Sequence, residues 1–114
     1  MSTMSATPKD WPGHEPDPAP WWDADLSSYL SRLESQRGLS EHTVAAYRRD
    51  LTQFFRHAES VGIESAAGVD RTSIRVYLAH LDGEGYARRS VARKISAIRA
   101  YLSEAVRRLS LIHI

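Results

Sequence analysis

Seven cations and a single carboxylate occupy the stretch from Tyr86 to Arg108: Arg88, Arg89, Arg93, Lys94, Arg99, Arg107 and Arg108 against Glu104. An imbalance of this kind is the electrostatic footprint of a surface that meets phosphate, although a solvated helix face would carry the same residue types. The other side chains able to do chemistry form no reactive group. Tyr29, Tyr47, Tyr77 and Tyr101 lie at or beside the spacing of core residues and read as packing residues rather than nucleophiles, while Tyr86 is a loop aromatic. His14, His42, His57, His80 and His113 contain no pair at metal-ligand spacing on a helix face, and the absence of cysteine removes disulfides and thiolate metal sites. Paired carboxylates, a glycine-rich phosphate loop and a Ser-His-Asp arrangement are also missing. No metal, cofactor or small-molecule substrate is therefore expected.

Opposite charges are segregated along the 114 residues. Within residues 1–25 one cation, Lys9, stands against Asp10, Glu15, Asp17, Asp23 and Asp25, so the remainder of the chain holds fourteen cations against nine carboxylates. All five prolines fall within the first 20 residues, where few aliphatic side chains offset the entropy of ordering the backbone. Residues 1–20 read as a disordered Pro-rich acidic tail. No apolar run approaches the ~20 residues needed to span a bilayer, and the amino terminus shows no secretory pattern, so a cytoplasmic protein without membrane contact is expected.

Four segments with helical periodicity must position the cations, and glycines punctuate them. The first, over 22–36, puts Trp22, Leu26, Tyr29, Leu30 and Leu33 on one face and ends at Gly38. The second begins after the N-cap Ser40 and carries Val44, Tyr47, Leu51, Phe54, Phe55 and Ala58 inward until Gly62. The third starts near Asp70 or Thr72, turns Ile74, Tyr77, Leu78 and Leu81 inward, and breaks at Gly83-Glu84-Gly85. The fourth runs from about Arg88 with Val91, Ile95, Ile98, Leu102, Ala105 and Leu109 toward the core. The fold class is all-α, a compact bundle.

At about 100° per residue, the second helix leaves His42, Ala45, Ala46, Arg49, Gln53 and Arg56 opposite its core stripe. The fourth leaves Arg89, Ala92, Arg93, Ser96, Ala97 and Ala100 outward, with Arg88, Lys94 and Arg99 toward the flanks. Small side chains let a helix backbone approach base edges in a major groove while flanking arginines reach guanines or phosphates. Such faces also pack against other helices, so they do not by themselves decide for DNA. If they do meet it, removing Arg49 and Arg93 together weakens binding and leaves unfolding nearly unchanged.

The stretch Leu39-Ser40-Glu41-His42-Thr43-Val44-Ala45-Ala46-Tyr47-Arg48-Arg49-Asp50-Leu51, followed by Phe54, resembles the L-S-x-x-T-x-x-x-Y-x-x-D-L-x-x-F signature of Xer-type tyrosine recombinases. Ile74-Arg75-Val76-Tyr77-Leu78 with Leu81 and Gly85, then Ser90 to Arg99, is similar to that family's following two helices. The resemblance covers about residues 22–106 and implies a SAM-like four-helix core-binding domain over 22–109. Such a domain forms one jaw of a clamp on double-stranded DNA, with its second and fourth helices toward the duplex. Carried onto this chain, it puts His42, Thr43, Arg49, Gln53 and Arg56 with Arg88, Arg89, Ser90, Arg93, Lys94 and Arg99 at the DNA. Tyr47, Asp50, Leu51 and Phe54 are implied to be scaffold.

The resemblance further implies a second recombinase subunit in a tetrameric synapse, acting in chromosome dimer resolution or integration of mobile DNA. The family's catalytic arginine, His-x-x-Arg box and nucleophilic tyrosine have no counterpart in these residues, so strand cleavage by this chain alone is not expected. The apolar segment 110–114 reads as an atypical or truncated end. Two other functions fit the same basic faces: a helical adaptor for an acidic protein partner, and a dimeric helix-turn-helix regulator. Affinity for nonspecific duplex separates the adaptor from the rest, and tight specific binding as a dimer marks the regulator.

Overall fold

Each helix starts and stops where its own residues satisfy the backbone. The computed structural model describes residues 19–112, with side chains described through residue 108. Of the expected tail only Ala19 and Pro20 lie among the described residues, and residues 113–114 and the Leu109 side chain lie outside them. The elements are α1 (Asp23–Gln36), α2 (Glu41–Ser60), a 3-10 turn (Ala66–Gly68), α3 (Arg71–Gly83) and α4 (Arg88–Ile112), with no strand among the described residues. The all-α, four-helix SAM-like architecture is thus the one adopted. α4 also runs on through residues 110–112, part of the segment expected to be an atypical end.

Asp23 and Asp25 occupy the first turn of α1, where the helix dipole favours anions. Gly38, at φ 65°, closes its other end, and the Leu39 amide donates to Leu33 O at 3.2 Å across that left-handed residue. Ser40 caps α2 by accepting from the Thr43 amide at 3.2 Å. Asp70 opens α3 with a reciprocal capping box to Ser73.

α2 is the central element and packs on α1, α3 and α4. Phe55, fully buried, lies at the middle of an aromatic cluster: Trp22 stacks on it at 5.7 Å, and Trp21 and Tyr101 meet it edge-on at 5.6 and 5.2 Å. The Trp21 indole N–H donates to Ile63 O at 3.0 Å and ties the start of α1 to the loop after α2. Tyr77 brings α3 in, its ring edge-on to Phe54 at 5.1 Å. Burying each such large side chain stabilises by about 1.5–3 kcal/mol, so this cluster is a main source of stability together with the buried leucines and isoleucines around it.

α4 departs from the single-stripe reading. Ile95, Ile98 and Tyr101 are buried as the periodicity predicts or allows, and Val91 and Leu102 pack half-buried against them. Ala97, expected to face outward, is also buried. The reason is that α4 touches the bundle over a wide arc, and its small side chain lets the two backbones approach where α4 crosses α2.

Candidate nucleic-acid interface

α2 and α4 pack against each other, with Asp50 and Gln53 meeting Arg93 and Lys94 on one side of the contact and Phe55 meeting Tyr101 on the other. His42, Thr43, Ala46, Tyr47 and Asp50 from α2 line one groove with Arg93, Ser96 and Ala97 from α4. Farther along α2, Arg48, Arg49, Thr52, Gln53 and Arg56 line a second, shallower groove on its outer side. Gln53 joins these regions to the start of α4 through Lys94 and Tyr86.

Asp50 holds the seam. It is 2% exposed, and its carboxylate accepts a fork from Arg93, Nε to Oδ2 at 2.9 Å and Nη2 to Oδ1 at 3.1 Å. Lys94 Nζ reaches the same Oδ1 at 3.0 Å. Burial alone would raise the Asp50 pKa, but the hydrogen bonds and charges of Arg93 and Lys94 outweigh it and hold the carboxyl below its ordinary value. The resemblance implied scaffold at this position, and its part in the scaffold is to bind two cations.

The predicted contacts divide by where these packing demands send them. His42, Thr43, Arg49 and Arg56 are exposed on the outward side of α2, and Gln53 is half-buried. Ser40 spends its hydroxyl oxygen on the cap and donates to Thr43 Oγ1 at 3.1 Å, which leaves the Thr43 hydroxyl hydrogen for another acceptor. Arg88 and Arg89 are exposed in the first turn of α4, with Ser90 half-buried beside them. The first intrahelical bond there is Val91 N–H to Ala87 O, and alanine offers no side-chain cap, so the amides of this turn remain open to an anion. Arg93 keeps 53% of its side chain exposed despite the fork to Asp50.

Two placements correct the sequence reading. Lys94 is not on a flank of the outer face: it is 6% exposed, drawn inward because a buried carboxylate needs a compensating charge. Arg99 is exposed on the other side of α4, in a groove with Asp70, Arg71 and Ile74 of the α3 side, so it does not join the cations facing α2. Arg93 also bears on the fold, since its guanidinium is one of the two cations that pair with buried Asp50, so its removal is expected to affect stability as well as binding. Glu104, the lone carboxylate of the basic run, accepts from Arg32 Nε of α1 at 2.8 Å and so is spent away from the α2–α4 face.

Tyr86 is the residue that periodicity passed over. Its hydroxyl oxygen accepts from Gln53 Nε2 at 2.9 Å, and Lys94 Nζ sits 5.2 Å from its ring centroid. The signal available in the sequence was an aromatic immediately after a glycine turn and one residue before Arg88-Arg89. Among the described residues no group of three or more His, Cys, Asp or Glu is placed to hold a metal ion, and no helix is long and apolar enough to cross a membrane.

Residues 26–109 match the family model of the phage integrase N-terminal SAM-like domain. Similar curated proteins include tyrosine recombinase XerC of Azotobacter vinelandii, 37% identical over 78 residues, which cover 68% of this chain and 26% of that protein. Tyrosine recombinase XerC of Pseudomonas aeruginosa is 41% identical over 76 residues, covering 67% of this chain and 25% of its own length. Tyrosine recombinase XerD of Staphylococcus saprophyticus is 36% identical over 85 residues, with 75% and 29% covered. The chain thus spans between a quarter and a third of the length of these relatives. No solved structure matches it significantly.

Proposed function

The chain belongs to the family of phage integrase N-terminal SAM-like domains, and from that premise we propose that it binds double-stranded DNA as the core-binding half of a Xer-like tyrosine recombinase. The observation that carries this reading is the packing of α2 on α4, with the cations of both helices at the edges of the contact. It leaves His42, Thr43, Arg49 and Arg56 exposed along α2 and Arg89 and Arg93, one helical turn apart, exposed along α4. The seam beneath them holds Asp50, whose charge is already matched by two cations. The outward field is therefore positive, the sign that phosphate requires.

The core-binding unit extends over residues 22–109, behind an amino-terminal tail at 1–20. In the whole recombinase this unit grips one side of the duplex while a second subunit and further pairs complete a tetrameric synapse for site-specific recombination, in chromosome dimer resolution or integration. These residues bind without cutting. That part of the reading is supported by Tyr29, Tyr77 and Tyr101, which are buried in the core, and by the lack among these 114 residues of the His-x-x-Arg box that would activate a phosphodiester beside an unburied tyrosine such as Tyr47 or Tyr86. The protein acts in the cytoplasm, where its substrate lies.

Fluorescence anisotropy against a labelled duplex tests the reading. With about four to seven phosphates contacted, log affinity falls against log salt with a slope of about −4 to −6. Absence of duplex affinity at low salt, together with binding to an acidic protein, would replace DNA with a protein partner.

A further inference from the structure

Lys94 cannot reach a duplex, since it is 6% exposed and its Nζ is held 3.0 Å from Asp50 Oδ1 and 2.6 Å from Gln53 Oε1. An ammonium group only donates, so the oxygen of the Gln53 amide must face it. That orients the amide nitrogen toward Tyr86, where Nε2 lies 2.9 Å from the phenol oxygen. The amide donates there, so the phenol oxygen accepts. The phenol's own hydrogen then has no acceptor among the described residues, and Tyr86 is 40% exposed.

The side chain is also held in place. Gly85, at φ 83°, turns the chain out of α3, and the Tyr86 amide donates back to Leu81 O at 3.2 Å. Lys94 lies against the ring, 5.2 Å from its centroid. An exposed tyrosine fixed at its backbone, ring and oxygen loses little further freedom when it makes one more contact. The order Lys94 to Gln53 to Tyr86 also runs in one direction: a cation withdraws density from the amide oxygen, the amide hydrogen from the phenol oxygen, and the phenol O–H becomes the better donor.

We propose that Tyr86 is a phosphate-contacting residue, its hydroxyl donating to a backbone oxygen of the duplex, and that buried Lys94 and Gln53 are positioning residues acting on DNA through it. This rests on the reading of the α2–α4 face as the duplex-binding surface. The ligand is the phosphodiester itself, since a lone O–H donor beside Arg88 and Arg89 suits an anionic oxygen and carries no base preference.

The test compares the full chain with Tyr86→Phe, which keeps the ring against Lys94 and removes only the hydroxyl. Binding to a fluorescein-labelled duplex is measured over a salt series, well below both thermal unfolding midpoints so that each protein is fully folded. Affinity should fall roughly three- to tenfold for Tyr86→Phe while the salt slope stays that of the parent, because a neutral donor releases no counterion. An arginine contact would instead lower the slope by about one. Equal affinity of Tyr86→Phe and the parent overturns the proposal and leaves duplex binding standing. A parent chain that does not bind duplex overturns both.

Discussion

α2 is gripped on two sides by different physics. Toward α1 its partners are rings and aliphatic chains: Phe55 meets Trp21 and Trp22, and Leu30 and Leu33 close the layer. Toward the outer edge of α4 its partners are ionic: Asp50 meets Arg93 and Lys94, and Gln53 meets Lys94 and Tyr86. The apolar side gains free energy for every Å² removed from water and tolerates small slips. The ionic side gains little net, because desolvating the charges offsets much of their attraction, but it is intolerant of slip. Shifting α4 by one turn would strand a buried carboxylate and a buried amino group. Stability and register are therefore assigned to opposite faces of one helix.

The largest effect expected from breaking this division is on the apolar side. Phe55→Ala removes the centre of the aromatic cluster and costs about 3–5 kcal/mol, a large part of the 5–15 kcal/mol that a domain of this size has in total. Urea unfolding reads it directly, and a cost near zero would mean that the cluster is not a main source of stability.

Asp50→Ala comes next. It leaves Lys94 with Gln53 alone and costs about 2–3 kcal/mol, somewhat under the value for a fully enclosed pair because the half-exposed Arg93 turns to water. The same carboxyl sets a pH dependence. Its folded pKa is depressed, so its contribution is complete above the unfolded value of about 4 and is lost as pH falls through the lower folded value. The urea midpoint of the parent should drop in that acid range, and Asp50→Asn should show a flatter profile there.

The smallest effects separate the two sides of α4. Arg49→Ala, on the α2 face, should lower the magnitude of the DNA salt slope by about one and leave unfolding within ±0.5 kcal/mol. Arg99→Ala, in the groove toward α3, should change neither slope nor stability. Equal slopes lost at both positions would mean that the duplex wraps α4 and that the division drawn here is wrong.

Helix limits and the greater part of the core were legible because they depend on local signals. Ser40, Asp70 and Gly38 mark ends by their own chemistry, and Leu26, Leu33, Leu51 and Leu81 recur at helical spacing. Lys94 was misread because its charge sent it to a flank, although its spacing from Val91, Ile98 and Tyr101 puts it in the core stripe; the partner that makes burial tolerable, Asp50, lies 44 residues earlier. Ala97 went the same way: an alanine is consistent with an outward groove-facing position or with a close helix crossing, and only the path of α2 decides between them. Arg99 was grouped with Arg93 by charge, but it projects from the side of α4 that meets α3. Tyr86 lies in a loop, where periodicity carries no information.

α4 is a single helix of 25 residues without a proline or glycine to bend it, roughly 37 Å from end to end. Its early turns lie in the ionic seam, whereas Val106, Arg107 and Arg108 are already exposed beyond the core. The core holds the rod from the seam through Tyr101, and the Arg32–Glu104 pair fastens it once more to α1, so only its last two turns project past the bundle. Whatever lies at that end is carried at a direction set by the whole bundle.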